Sequence, residues 1–202
     1  DALAVAFTEE AVALRDGGLE QPILILEGPF DEQDLAEICA HGWWSVLHNH
    51  DQLALLEANP ACCPASVWIK IDTGMHRLGL DPAQAREAWA RLEASANADL
   101  QAACTHFARA EELDRPETDV QLERFLAAAG DLPLALSAAN SPAILAHPET
   151  HLDWIRPGYL LYGDTPLPPE HPFWAHPKVT VTPHIASETR PRTAATVIAE
   201  NI

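Results

Sequence analysis

The sequence predicts an α/β fold in which parallel strands alternate with helices. Three observations support this prediction: short apolar runs recur along residues 1–163, an amphipathic helical pattern follows each run, and successive runs begin roughly twenty to thirty-five residues apart. Seven such repeats are one short of a (β/α)8 TIM-type barrel, so we expect most of that barrel over 1–163. Residues 164–202 form a proline-rich tail, in which we expect a short strand and a helix.

The predicted strands are short runs of aliphatic and aromatic residues, at 3–7, 22–26, 43–48, 67–71, 100–107, 133–137 and 152–155. The segments between them carry helix signals. Thr8 is in position to cap the first helix, and Asp81 followed by Pro82 has the preferred order for starting the helix after the fourth strand. Ser141 begins a short helix behind the sixth strand.

Charge and cysteine content exclude several classes of function. With 12 basic and 30 acidic side chains the formal charge is −18, which disfavours nucleic acid and anionic membrane surfaces as partners. No apolar run approaches the length of a membrane span, and we expect a cytoplasmic protein. The four cysteines lack the spacing of a metal site, so we expect free thiols and no bound metal.

Residues capable of chemistry follow the predicted strands, at the end where such barrels build their active sites. They are Lys70, Arg77, His106, Asn140, Ser141, Arg156 and Gly158. A hydroxyl at a helix start and a nearby glycine suit a phosphate group, because backbone N–H groups can then approach the anion closely. Plainer alternatives stay open: a solvated cation for Lys70, a core histidine for His106, a helix cap for Asn140 and Ser141, and a salt bridge for Arg156.

The string KIDTGMHRLG at 70–79 resembles the signature loop of the alanine racemases, which are pyridoxal-phosphate enzymes with an N-terminal (β/α)8 barrel. The resemblance extends through ILILEGPF, THFARAEE, AANSPAIL and RPGYLLYG, and so covers residues 1 to about 163. It aligns the segment DALAVAF with the second strand of that barrel, so the unit we expect to be missing is the first.

The resemblance implies a role for each candidate residue. Arg156 would pair with the pyridine nitrogen of the cofactor, and Arg77 would reach its phenolic oxygen and help to place the substrate carboxylate. His106 would lie near the cofactor ring, and Lys70 matches a lysine that is carbamylated in many members. The phosphate group would be held by Asn140, Ser141, Gly158 and Tyr159. The implied substrate is alanine, and the implied assembly is a homodimer.

No catalytic residue can be assigned in this chain. Racemisation needs a base on each face of the substrate α-carbon. By resemblance, one base is a lysine in a segment like VKANAYGHG and the other is a tyrosine of a C-terminal domain, and neither segment occurs in the sequence. The lysines present are Lys70 and Lys178. We therefore expect a truncated or chimeric racemase with little activity; the alternative is a non-catalytic binding or scaffold protein.

The tail from 166 to 202 is similar instead to the end of D-2-hydroxyacid dehydrogenases of the glyoxylate and hydroxypyruvate reductase type, through its Pro-Leu-Pro, HPFW and TPHIA elements. This resemblance implies a general acid–base role for His184. Because no GxGxxG loop accompanies it, we interpret His184 as a solvent-facing residue and exclude dehydrogenase activity, although a fragment of a fusion is a further alternative. The segment KVTVT at 178–182 could fill the place of the first barrel strand.

Overall fold

The computed structural model describes residues 1–58 and 64–161, and six parallel strands form the sheet of this part of the chain. The strands follow one another across the sheet in chain order, each paired with the next. They are β1 Leu3–Val5, β2 Ile23–Ile25, β3 Trp44–Leu47, β4 Ala65–Lys70, β5 Ala98–Cys104 and β6 Ala135–Ser137. This is the arrangement of a half-barrel, and it confirms the first six predicted strands with small shifts at their ends.

Six α-helices connect or follow these strands in the described ranges. They are α1 Thr8–Asp16, α2 Glu32–His41, α3 His50–Ala58, α4 Pro82–Glu93, α5 Glu117–Ala129 and α6 Ser141–Ala146, with 3-10 turns at Pro148–Thr150 and Tyr159–Leu161. The predicted start of α4 is confirmed, because the Asp81 carboxylate accepts the N–H groups of Ala83 at 2.9 Å and Gln84 at 3.0 Å.

The predicted cap of α1 is wrong. Thr8 is the first helical residue, and its hydroxyl donates to the carboxylate of Asp34 at 3.1 Å. The carboxylate of Glu10 accepts the N–H groups of Ala6 at 2.7 Å and Phe7 at 3.1 Å. A longer acidic side chain thus satisfies the backbone donors before the helix and leaves the threonine to connect α1 with the α2 region.

The sheet is covered by helices on one face. Val67, Ile69 and Ile71 pack there with apolar residues of α2 to α5, in a cluster that includes the fully buried Phe125. Alternate strand residues point to the opposite face, as the two-residue period of a strand requires. That face is lined by Leu24, Val46, Trp68, Ala102 and Cys104, with Trp44 and Trp154 against them.

The predicted seventh strand at 152–155 is not formed, and a single parallel bridge between Ser137 and Trp154 stands in its place. The edge of β6 explains why. The N–H of Leu136, which a neighbouring strand would use, donates to the carboxylate of Asp153 at 2.8 Å. The Asp153 side chain therefore takes the place of one backbone hydrogen bond between strands, and the pairing with β6 ends there.

The chain divides into two compact units, 1–156 and 157–202. The described part of the second unit contains the 3-10 turn Tyr159–Leu161, and the predictions for the tail, including His184 and the 178–182 strand, lie outside the described residues, as do Cys62 and Cys63. None of the helices in the described ranges has the length and apolar character that crossing a bilayer requires.

Candidate functional site

Of the signature string at 70–79, residues 72–79 form a loop, here called the signature loop, that leaves the end of β4 and returns to it. Its two ends are tied by an isolated parallel bridge between Ile71 and Leu80. The N–H of Asp72 donates to the carbonyl of Leu80 at 2.8 Å, and the N–H of Leu80 donates to the carbonyl of Lys70 at 3.0 Å. The strand therefore gives the loop a fixed base.

Asp72 organises the interior of this loop. One oxygen of its carboxylate accepts three backbone N–H groups, from Gly74 at 2.9 Å, Met75 at 3.1 Å and His76 at 3.1 Å. The other oxygen lies 3.1 Å from Nδ1 of His76. Partial burial by itself would raise the pKa of Asp72, but the bonds from His76 and Gly74 outweigh it, and the pKa is lowered from its ordinary 3.8. The charged carboxylate is thus the form that holds the loop.

Arg156 binds the ends of two neighbouring strands. Its guanidinium donates to the hydroxyl of Ser137 and to the carbonyl of Thr105 through two short contacts, and to the carbonyl of Ala138 at 3.5 Å. No carboxylate lies within ion-pair distance of it in the described ranges, so the salt-bridge alternative is wrong there. A guanidinium has five N–H donors, and these three bonds leave two of them for a ligand.

Lys70, at the end of β4, lies in a cationic environment and is half-buried. Burial lowers the pKa of its amine, and the positive charges of Arg77 and Arg156 act in the same direction, while Cys104 and Glu27 oppose them. Lys70 is thus partly withdrawn from solvent. Three cations of an acidic chain share the C-terminal ends of β4 to β6, although Arg77 itself is exposed.

His106 and Asn140 follow β5 and β6, as predicted. His106 is half-buried, and its carbonyl accepts a bond from Gln121 at 3.0 Å. Asn140 caps α6: its side-chain oxygen accepts the N–H of Ala143 at 3.3 Å, while its amide nitrogen donates to the carbonyl of Phe107 at 3.2 Å. The helix-cap alternative is thus confirmed for Asn140, which also connects the ends of β5 and β6. Ser141 is buried at the first position of α6.

The remaining two predicted residues belong to the second unit. Gly158 precedes the 3-10 turn and its carbonyl accepts the N–H of Leu161 at 3.1 Å, and Tyr159 is the exposed first residue of that turn. Their phosphate-binding role stays a prediction.

Two clefts in the described part of the chain lie away from the predicted cofactor-binding residues. One, of about 510 Å³, is lined by Phe7, Thr8, Glu9, Glu10, Gly28, Phe30 and Asp34. The other, of about 230 Å³, lies between the signature loop and α5 and is lined in part by Gly74, Gln121 and Arg124. Neither Lys70 nor Arg156 lines either of these two clefts, which agrees with the open rim of a half-barrel.

A polar network that the sequence patterns did not predict lies beneath the loop. Gln121 is 3% exposed although it is polar, and Thr105 is fully buried. A signal was present: Thr118, Gln121 and Phe125 share one face of α5 at helical spacing and are all buried. A glutamine on the apolar face of a helix needs hydrogen-bond partners, and the loops it faces supply them.

One group of potential metal ligands occurs in the described ranges. Asp119, His147 and Glu149 each offer one ligand atom, and these atoms lie within 4.8 Å of one another. The two carboxylate residues are exposed, and Nδ1 of His147 lies 3.3 Å from Glu149. Exposed acidic groups commonly gather without an ion, and we assign none to this group.

Comparison of the sequence with known proteins identifies relatives of this chain. Residues 1–166 match the family described as alanine racemase, N-terminal domain. The catabolic alanine racemase of Pseudomonas aeruginosa is 45% identical over 172 residues, which are 85% of this chain and 48% of that protein. The alanine racemase of Shewanella sediminis is 46% identical over 168 residues, 83% of this chain and 47% of that protein.

Solved structures agree with the sequence matches. The biosynthetic alanine racemase of Pseudomonas aeruginosa superimposes with a TM-score of 0.76 at 41% identity, over 81% of this chain and 46% of that one. The alanine racemase of Clostridium difficile 630 gives a TM-score of 0.75 at 29% identity, over 82% and 45% of the two chains. The chain thus spans about half the length of the curated relatives it matches.

Proposed function

The chain belongs to the alanine racemase family through its N-terminal domain, and on that premise we propose that it forms the cofactor-binding part of an enzyme that interconverts L- and D-alanine. The observation that carries the proposal is the position of Arg156. The ends of β5 and β6 hold its guanidinium in place, and two of its five N–H donors remain for a ligand. The guanidinium also lies in a cationic region of a chain whose formal charge is −18. Such a region suits an anionic ligand.

The residues present fit pyridoxal phosphate. When bound, pyridoxal phosphate withdraws electrons from the substrate and so weakens the bond between the α-carbon and its hydrogen. Arg156 would donate an N–H to the pyridine nitrogen, and because a guanidinium stays protonated it would leave that nitrogen uncharged. Arg156 would thereby limit electron withdrawal and suppress side reactions.

Arg77 and Lys70 would act together at the phenolic oxygen of the cofactor. Arg77 would donate to the phenolic oxygen and to the substrate carboxylate, both of which are anionic. The lowered pKa of Lys70 increases the neutral fraction of its amine, the form that reacts with carbon dioxide. A carbamate on Lys70 would convert a cation that repels Arg77 into an anion that orients it.

The phosphate group would be held near the start of α6. Ser141 would supply a hydroxyl there. A phosphate-binding role for Gly158 and Tyr159, which belong to the second unit, is proposed from the resemblance alone. His106 would lie beside the ring. Asn140 would contribute chiefly by fixing the start of α6, since its side chain already binds Ala143 and Phe107.

We further propose that β1 to β6 correspond to the second through seventh strands of the (β/α)8 barrel. On this alignment the catalytic lysine would lie on a first strand, and neither base of the reaction has a counterpart among the 202 residues. The purified chain of these residues is therefore expected to bind the cofactor and to show little alanine racemisation. Racemisation that persists after replacement of both Lys70 and Lys178 would contradict this assignment.

Binding can be tested with pyridoxine phosphate, a cofactor analogue without the aldehyde, which cannot react with the two lysines of the chain. We expect quenching of tryptophan fluorescence by the analogue in the unaltered protein. In Arg156→Met the dissociation constant should rise by at least about tenfold, because a charge-assisted bond is lost. The matched control is Arg86→Met, since Arg86 is exposed and pairs with Asp131 at the surface.

Equal affinities in the two variants would refute the role of Arg156, provided that circular dichroism shows both to be folded. Arg156→Lys is the second variant, should the first not fold: it keeps the charge but loses the planar donor fork, and should also bind more weakly. A folded, cooperative wild-type chain with no affinity for the analogue would favour the non-catalytic binding or scaffold alternative.

A further inference from the structure

Gln121 connects the loops that follow two neighbouring strands. Its side-chain amide nitrogen donates to the hydroxyl of Thr73 at 3.2 Å and to the carbonyl of His106 at 3.0 Å. Its side-chain oxygen accepts the N–H of Ala108 at 2.9 Å. One side chain of α5 thus binds the signature loop after β4 and the segment 106–108 after β5.

The direction of these bonds follows from the hydroxyl groups beneath them. The Thr105 hydroxyl donates its single hydrogen to the carbonyl of Ile71 at 2.8 Å. In its 2.8 Å contact with Thr73 it must therefore accept, so the Thr73 hydroxyl donates to it. Thr73 in turn can only accept from Gln121. The chain of bonds from Gln121 through both threonines to Ile71 has one consistent order.

This order requires an amide at position 121. The group must donate towards both Thr73 and His106 and accept from Ala108, and of the side chains of this size only an amide offers two donors together with an acceptor. A carboxylate would place a lone pair against the His106 carbonyl. Because Gln121 is 3% exposed, a hydrogen bond lost there is not readily replaced by one to bulk water.

We propose that Gln121 is the positioning residue that sets the signature loop and the His106 segment relative to each other, so that Arg77 and His106 face the same ligand. This inference rests on the proposed cofactor-binding function. Arg124, one turn further along α5, donates to the carbonyl of Thr73 at 3.1 Å and supports the same loop. Gln121 itself touches neither cofactor nor substrate, and its effect passes through the two loops.

The chain offers a matched control in Gln52, on α3. Gln52 is 5% exposed and accepts the N–H of His48 at 2.9 Å. Its amide nitrogen donates to the carbonyls of Glu27 at 2.7 Å and Pro29 at 3.3 Å. It therefore connects the ends of β2 and β3 with the same chemistry, but those ends carry none of the predicted cofactor residues.

The experiment compares Gln121→Leu and Gln52→Leu in the full chain. Backbone hydrogen exchange is measured over 73–80 and 105–108, and pyridoxine phosphate affinity is measured by tryptophan fluorescence. We expect both variants to lose stability to a similar extent. Gln121→Leu alone should accelerate exchange at the amides of Gly74, Met75 and His76, and its affinity should fall about tenfold.

The possible results distinguish a failure of the positioning role of Gln121 from a failure of the proposed cofactor binding. The positioning role would be refuted if hydrogen exchange over 73–80 were unchanged in Gln121→Leu. It would also be refuted if Gln52→Leu accelerated that exchange equally. Both conclusions hold whether or not the analogue binds. Accelerated exchange with unchanged affinity would also refute it. If wild type does not bind the analogue, the proposed function fails, and the positioning of Arg77 and His106 for a shared ligand fails with it. Should Gln121→Leu not fold, Gln121→Met and Gln52→Met, which keep the length of the side chain without its hydrogen bonds, are measured in place of the leucine pair, with the same expected and refuting results.

Discussion

The signature loop closes on the backbone of its own strand at Gly79, and replacing this glycine by alanine should be costly. Gly79 has a φ of +135°, a conformation that side chains other than glycine rarely adopt. A Cβ atom at this position would lie 2.6 Å from the backbone nitrogen of Asp72 and 3.0 Å from the carbonyl carbon of Ile71. Both neighbours are main-chain atoms, so neither can turn aside as a side chain would.

The magnitude follows from two contributions. A residue held in a disfavoured backbone region costs about 1–3 kcal/mol. Moving Asp72 away from the new Cβ would also weaken its bond to Leu80 and the return bond from Leu80 to Lys70, each with a net value of about 1 kcal/mol. Gly79→Ala should therefore lower the free energy of unfolding by about 3–5 kcal/mol, a large part of the stability of a typical domain.

Urea unfolding followed by tryptophan fluorescence measures this loss, and Gly18→Ala is the control. Gly18 has a φ of +82°, but nothing lies within 4 Å of the position of its Cβ, so the control tests backbone strain without the close contact. We expect it to cost about 1 kcal/mol. If the two variants lose equal stability, the loop is not packed against β4 as described.

Two further predictions concern titration near the same loop. Because the folded-state pKa of Asp72 lies below its ordinary 3.8, its carboxylate stabilises the fold above that pH, and the contribution is lost as the pH falls through the folded-state pKa. Urea unfolding as a function of pH should show wild type losing its advantage over Asp72→Asn in this acid range; parallel curves would contradict the role of the charge. For Lys70, the lowered pKa should allow carbamate formation in mildly alkaline bicarbonate. A carbon-13 carbamate resonance that is absent in Lys70→Arg would confirm it, and one that survives the substitution would exclude Lys70 as the site.

Local patterns predicted the first six strands and the start of α4, because both depend on residues close in sequence. Apolar runs bury themselves wherever a sheet forms, and Asp81 reaches only the next few backbone N–H groups. One error arose where a distant side chain competed, because Asp153 occupies a backbone donor of β6. The other is local: Glu10 accepts the N–H groups of Ala6 and Phe7, and the helix begins at Thr8 itself. Periodicity carries no information about such contacts.

The candidate site shows the same division. The order of strands along the chain was sufficient to place Lys70 and His106 at one edge of the sheet, because the C-terminal ends of parallel neighbours meet there. Arg156 reaches the same edge although the strand predicted before it is reduced to one bridge between Ser137 and Trp154. The bonds between those ends could not be derived in this way. Which loop Gln121 faces depends on how α5 lies against the sheet, and the burial pattern of α5 indicates only that the glutamine must find partners.

The positive charge at this edge is a consequence of the fold as well as a requirement of the ligand. At the C-terminal edge of a parallel sheet the last carbonyl groups have no neighbouring strand to bind, and burying them unpaired would cost free energy. Arg156 satisfies two such carbonyls, those of Thr105 and Ala138, and these bonds also hold its guanidinium in place. A lysine would bring the same charge without the planar fork that reaches β5 and β6 together. Arg156 therefore has two effects: it satisfies the last carbonyl groups of the strands, and it presents a fixed cation to an anionic ligand.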